Sequence, residues 1–200
     1  MSNISTNTEL ITDVHKLNNS LDNFFKRFVN TVAAETGKLP VTEHHPDWPS
    51  ACQQGELFLS EQMQSCIHWQ PLLRAENDDL SGLEKALEIP LHTDLKSFFT
   101  RYWSDQIDVI FQQGNLKLMF IWNDTDMERL IKNQLGHALN KLRNKQSLTF
   151  FIACTDSDYI ISLENDSGRI VLERPGYAIE KVLAENLNQF INELEYGRLS

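Results

Sequence analysis

The chain has 200 residues, is 41% hydrophobic and 23% charged, and carries a formal charge of -10. That length suits one full core better than two, and the composition is that of a folded domain rather than a disordered one. The excess of 28 acidic over 18 basic residues argues against nucleic acid as a partner, because lysine and arginine drive phosphate binding; it either keeps the protein soluble or meets a cationic partner.

Residues 7–36 read as one long amphipathic helix. Leu10, Val14, Leu17, Leu21, Phe24, Phe28 and Val32 recur every three or four positions, Gly37 closes the run and Pro40 prevents its return. Residues 37–55 read as a loop or extended arm, because LPVTEHHPDWPS has three prolines and no period. His44, His45 and Asp47 lack the spaced second pair that a metal site needs, so Trp48 packing the loop down is the reading adopted. The three cysteines, Cys52, Cys66 and Cys154, form no framework and are expected as free thiols. Ser65 to Trp69 reads as a short strand.

Leu80 to Glu88 reads as a short helix with Asp79 as its cap, ended by Pro90; Thr93 is placed to cap a second helix bearing Leu95, Phe98, Phe99, Tyr102 and Trp103. Gln106–Phe111 and Leu116–Trp122 read as a hairpin about Gln113 and Gly114, with Ile107, Val109 and Phe111 on the core face. Its other face then carries Asp108, Ile110, Lys117, Met119 and Ile121, a mixture suited to a partly covered, partner-binding surface. Asn123 to Asp126 caps a helix to Leu142 whose buried stripe is read as Leu130, Ile131, Leu135, Ala138, Leu139 and Leu142. His137 beside that stripe reads as a hydrogen-bonded structural residue. Leu148–Cys154, apolar on both faces, is a central strand; Tyr159–Glu164 and Arg169–Glu173 form a hairpin across NDSG. A last helix is expected to bury Ile179, Val182, Leu183, Leu187, Phe190, Ile191 and Leu194. The order describes one α+β domain spanning residues 1–200, with an antiparallel sheet of about five to six strands covered mainly on one face by helices.

Acidic residues concentrate between Glu76 and Asp108, where eight carboxylates face three bases. Asp79 and Asp94 sit at helix starts, where the helix dipole alone favours them, whereas Glu88, Asp105 and Asp108 lie at a helix end or in and beside a strand and are not explained that way. The candidate partner-binding set is therefore Glu88, Asp105 and Asp108, with Glu84, Asp94, Met119 and Ile121 beside them. No window is apolar enough to span a membrane, and MSNISTNTEL is no signal peptide, so a cytosolic chain is expected. No GxSxG, phosphate-binding glycine loop or closely spaced ligand set points to an enzyme, a metal or a cofactor.

Several pieces, in order, resemble the Syd family of bacterial cytoplasmic proteins: CIHWQP, LEKALEIPLHTDLKSFFT, GNLKLMFIWNDTDMERLIKNQLGH, LTFFIAC, ISLENDSGRIVLE and LAENLNQFINEL. Together they cover about two thirds of the chain collinearly, far more than a single motif. The resemblance implies a non-catalytic monomer that binds the SecY subunit of the translocation channel and sits peripherally on the cytoplasmic side of the inner membrane. Within the wider Syd/Knr4-like superfamily it also leaves open an immunity protein that neutralises a cationic toxin. Cytoplasmic channel loops are rich in lysine and arginine, and an acidic, partly apolar concave surface would suit them.

Overall fold

A computed structural model of the chain describes residues 3–75 and 80–197, with side chains from Val14 onward. The helix α1, Asn3–Thr36, buries Leu17, Leu21, Phe24, Phe28 and Val32, with Phe25 beside them; the side chain of Leu10 lies outside the described residues. The helix stops where glycine permits it: Gly37 takes φ +70° and donates its N–H to Ala33 O at 2.9 Å.

A three-stranded antiparallel sheet follows, β1 (Val41–Glu43), β2 (Gln53–Leu59) and β3 (Ser65–Trp69), in the order β1-β3-β2. The segment expected to be a loop or arm thus contains β1 and the start of β2. It showed no period because β1 is an exposed edge strand, with Val41 49% exposed, and so has no buried face to pattern. β4 (Leu72–Leu73) pairs with β5 (Tyr102–Trp103), which ends the second short helix sooner than its aromatic spacing suggested. The two helices around Pro90 are α2 (Ser81–Leu87) and α3 (Thr93–Thr100). His92 rather than Thr93 caps α3, its Nδ1 accepting the Asp94 N–H at 3.2 Å. α2 starts from Leu80 in a left-handed conformation. Asp79, the expected cap, lies outside the described residues with Glu76 and Asp78.

β6 (Ile107–Phe111), β7 (Gly114–Leu118), α4 (Asp124–Arg143), β8 (Thr149–Thr155), β9 (Ile160–Glu164), β10 (Ile170–Glu173), β11 (Ile179–Ala184), α5 (Leu187–Asn192) and β12 (Glu195–Tyr196) complete the chain. Seven of these strands form one antiparallel sheet ordered β11-β10-β9-β8-β7-β6-β12, with β8 at its centre as its doubly apolar sequence implied. Three small differences from the expected pattern have clear causes. The hairpin turns on Gln112 and Gln113, both at positive φ, so Val109 faces Leu116 where a turn on Gln113 and Gly114 would set it opposite Leu118, and Ile107 faces Leu118 instead of Phe120; this two-residue shift keeps the side chains of β6 and β7 on their expected faces. The expected last helix is half strand, since β11 occupies Ile179–Ala184 and only Leu187–Asn192 is helical. On α4 the buried face is Met127, Leu130, Gln134, Ala138 and Lys141, while Leu139 and Leu142 are exposed.

The result is a single α+β domain. α1 packs on α3 and α5 over the face carrying Ile107, Val109, Phe111 and Leu118, where Phe111 meets Phe190 and Phe120 meets Phe24, Phe25 and Phe98. α4 lies over β8 from the opposite face and contacts α2. There Gln134 replaces a strand neighbour at the β8 bulge, its amide donating to Phe151 O at 2.7 Å and accepting the Phe151 N–H at 3.2 Å. Asn165, in the turn after β9, holds the α2–α3 corner by accepting the His92 N–H at 3.0 Å and donating to Pro90 O at 3.0 Å.

Candidate functional site

The last turns of α1, the first residues after it and the start of β6 enclose a groove of about 390 Å³. Its floor is apolar: Phe28 and Val32 from α1, Trp69 from β3 and Ile107 from β6, all nearly fully buried. Phe28 and Trp69 are in ring contact at 5.6 Å. One wall is Lys38–Val41, held to β3 by the Trp69 N–H donating to Pro40 O at 2.9 Å and by His68 Nδ1 3.1 Å from Leu39 O. Asp105 and Asp108 stand on the other wall, with Lys38 the basic side chain among the lining residues.

Asp105 is fixed from both sides. Ser104, fully buried, donates its hydroxyl to Asp105 O at 2.8 Å, and the Asp105 carboxylate accepts the Gln106 N–H at 2.8 Å. Asp108 lies on β6 opposite Lys117 of β7, their charged atoms 3.2 Å apart with side chains 72% and 51% exposed. A pair that open to water is weak and easily traded for another cation. Asp105 is also a wall of a second concavity of about 290 Å³, which adds Glu43, Trp48, Asp126 and Arg129. Asp126 accepts the Trp122 N–H at 3.0 Å. Burial pushes its carboxyl up, the Trp122 N–H and the Arg129 charge pull it down, and the Asp105 charge adds to the rise. Arg129 itself lies 4.0 Å over the Trp48 ring. The two concavities share Asp105 and Gln106 and together present Glu43, Asp105, Asp108 and Asp126, against Lys38 and Arg129, around aromatic ground. Such a surface focuses negative potential toward a cation.

Asp105 and Asp108 come together; the other expected residues lie elsewhere. Glu84 accepts the Leu91 N–H at 2.8 Å and pairs with Lys96 at 2.5 Å, tying the α2–α3 corner. Asp94, 8% exposed, sits in the first turn of α3, and Glu88 is an exposed C-cap at φ 56°. None of these three lines either concavity. Met119 is half-buried at a separate apolar cavity beneath α4, its sulfur 3.7 Å from Cys154 Sγ. Ile121 is corrected outright: it is 2% exposed and bridges to Trp103, because β7 ends at Leu118 and Phe120, Ile121 and Trp122 all turn into the core. Glu43 and Asp126 were missed. Glu43 sits in a stretch without pattern, and Asp126 reads as one of the first-turn acids that favour a helix start, which it also is, three residues after the Asn123 cap.

Cys52 and Cys66 are buried thiols and Cys154 an exposed one. Burial raises the Cys52 thiol to about 11, where it has little thiolate character. Among the described residues no group of three or more His, Cys, Asp or Glu is arranged to hold a metal ion. Nor is any helix among them long and apolar enough to cross a membrane.

Fold and site together define an α+β domain with an acidic, aromatic-floored concave face. The family model described as "Syd protein (SUKH-2)" matches residues 18–196, and the chain belongs to the Syd family. It is 37% identical over 182 residues to "Protein Syd" of Pseudoalteromonas atlantica, covering 90% of this chain and 95% of that one. It is 36% identical over 185 residues to "Protein Syd" of Colwellia psychrerythraea, at 90% and 92% coverage. The match to "Protein Syd" of Aliivibrio fischeri strain MJ11 is 35% over 177 residues, at 88% and 93% coverage.

Proposed function

We propose that this Syd-family chain is a non-catalytic binding protein for the lysine- and arginine-rich cytoplasmic loops of the SecY channel, sitting peripherally on the cytoplasmic side of the inner membrane as a monomer. In that position it monitors whether the channel is properly assembled. The observation that carries this reading is the pair Asp105 and Asp108 on the wall of a groove floored by Phe28, Val32, Trp69 and Ile107. Charge steers a basic loop to such a surface and apolar contact slows its departure. Glu43 and Asp126 extend the acidic side, and Glu88 and Met119 are outlying contacts. Glu84 serves chiefly to hold the α2–α3 corner, and Asp94 favours the start of α3 from its first turn.

The test compares inner-membrane vesicles that contain the channel with protein-free vesicles of anionic lipid. The chain should sediment with the first, less so as salt rises, and should stay in solution with the second, which repels a chain of charge -10. Equal sedimentation with both would refute the proposal.

A further inference from the structure

β1 is an outer strand of the small sheet, and its backbone hydrogen bonds run to one side. The order is β1-β3-β2, with Val41 opposite His68, Thr42 opposite Ile67 and Glu43 opposite Cys66 in an antiparallel pair. Bonds at the two ends of the pair fix which residues turn toward β3: the Trp69 N–H donates to Pro40 O at 2.9 Å and the His44 N–H donates to Ser65 O at 2.7 Å. In an antiparallel ladder every second residue bonds to the same neighbour. Pro40, Thr42 and His44 therefore face β3, and the N–H and C=O groups of Val41 and Glu43 point away from it. Among the described residues no backbone partner meets those four groups.

That open edge borders both concavities. Val41 lines the groove, Thr42 and Glu43 line the second concavity, and Asp105 and Gln106 line both. The Thr42 side chain lies on the opposite face of the strand from those of Val41 and Glu43, so what all three turn to the concavities is the edge between the faces. The edge is short. Pro40 has no N–H to offer, and His45 O is taken by the Trp48 N–H at 2.9 Å. Charge decides what can pair there: a second copy of the chain, at -10, would bring its own carboxylates against Glu43, Asp105, Asp108 and Asp126, whereas a cationic segment is drawn in.

We infer that the basic partner segment binds as an added strand on β1, its backbone bonding to Val41 and Glu43 and its lysine or arginine side chains meeting the carboxylates around it. This rests on the reading of the groove as the partner site and adds the mode of binding. Recognition then requires an extended backbone as well as charge. A basic helix of equal charge has its backbone already bonded and gains nothing from the edge. Side chains of the added strand alternate as those of β1 do: the residue opposite Thr42 turns to the side of the buried Ile67 and Trp69, and its neighbours turn to the side of Glu43. A segment that alternates basic and apolar residues fits such an edge.

The experiment uses the full chain and a short synthetic peptide of alternating lysine and leucine, with two further peptides of the same sequence N-methylated at every lysine or at every leucine. All three carry the same charge. A strand bonds its neighbour through one alternate set of amides, so one methylated peptide should bind about tenfold more weakly and the other about as well as the parent. Amide exchange in the chain, read residue by residue, should slow at Val41 and Glu43 when the parent peptide is added and stay unchanged at Thr42, which already faces β3. Equal affinity of the three peptides, or unchanged exchange at Val41 and Glu43, overturns the inference. If Asp105→Lys still weakens that binding, the groove stands as the partner site and the strand mode alone falls. No binding by any of the peptides removes the groove reading, and the added strand with it.

Discussion

Lys141→Met is the most informative single change to the fold. Lys141 and Glu173 are both 0% exposed, and the ammonium donates to Glu173 Oε2 at 2.5 Å and to Tyr177 O at 2.9 Å. Glu173 is further held by the Thr149 hydroxyl at 2.7 Å and lies 3.4 Å from His137 Nε2. Methionine fills the space without the charge, leaving a buried carboxylate short of its main partner, which costs about 3–5 kcal/mol. Adding Glu173→Gln removes the orphaned charge while an amide oxygen still accepts from Thr149, so the double variant should regain about half or more of the loss. Urea unfolding followed by circular dichroism at neutral pH measures both. A Lys141→Met loss under about 1 kcal/mol, or strict additivity in the double variant, would refute the reasoning.

The same network sets an acid limit. Burial alone would push the Glu173 carboxyl up, yet donation from His137, Lys141 and Thr149 outweighs it and lowers the value from 4.5 to about 2. The unfolded chain therefore binds the proton first as pH falls. Stability from this group is complete above about pH 4.5 and is lost as pH drops through about 2, a change on the order of 3 kcal/mol. A denaturation series from pH 6 to pH 2 should show that decline in the parent and a much smaller one in the double variant. Glu84→Ala should cost about 1–2 kcal/mol through the lost Leu91 and Lys96 contacts and leave partner affinity unchanged, separating a structural carboxylate from a binding one. Ile121→Ala should behave as a core deletion, losing about 2–5 kcal/mol in thermal or urea unfolding, whereas a surface contact residue would lose almost nothing.

Much of the fold was legible because burial imprints a period. α1, the β8 centre and the β9–β10 hairpin were readable on that ground, and so were the faces of β6 and β7 themselves, though not the fate of Ile121 beyond the end of β7. Its register was not, since two glutamines, rather than Gly114, take the left-handed turn positions. β11 was read as helix because Ile179, Val182 and Leu183 fall at helical spacing ahead of a real helix, and an edge strand with partly exposed side chains has little alternation to oppose it. The face of α4 was misjudged for a different reason. It buries Gln134 and Lys141 because the sheet beneath offers the bulged Phe151 backbone and the Glu173 carboxylate, and no helical pattern announces polar partners two strands away. The groove was legible only at Asp105 and Asp108, whose position at a strand start left them without a capping role. Its floor comes from α1, β3 and β6, far apart in the chain, so only the tertiary fold assembles it.

The central claim is most directly tested by reversing both groove carboxylates, Asp105→Lys with Asp108→Lys, and measuring binding to detergent-solubilised SecY channel at low and high salt. The account predicts at least a tenfold loss at low salt, about 1.4 kcal/mol or more, and a flattened salt dependence, with the circular dichroism spectrum unchanged. Undiminished affinity in a folded double variant would contradict it.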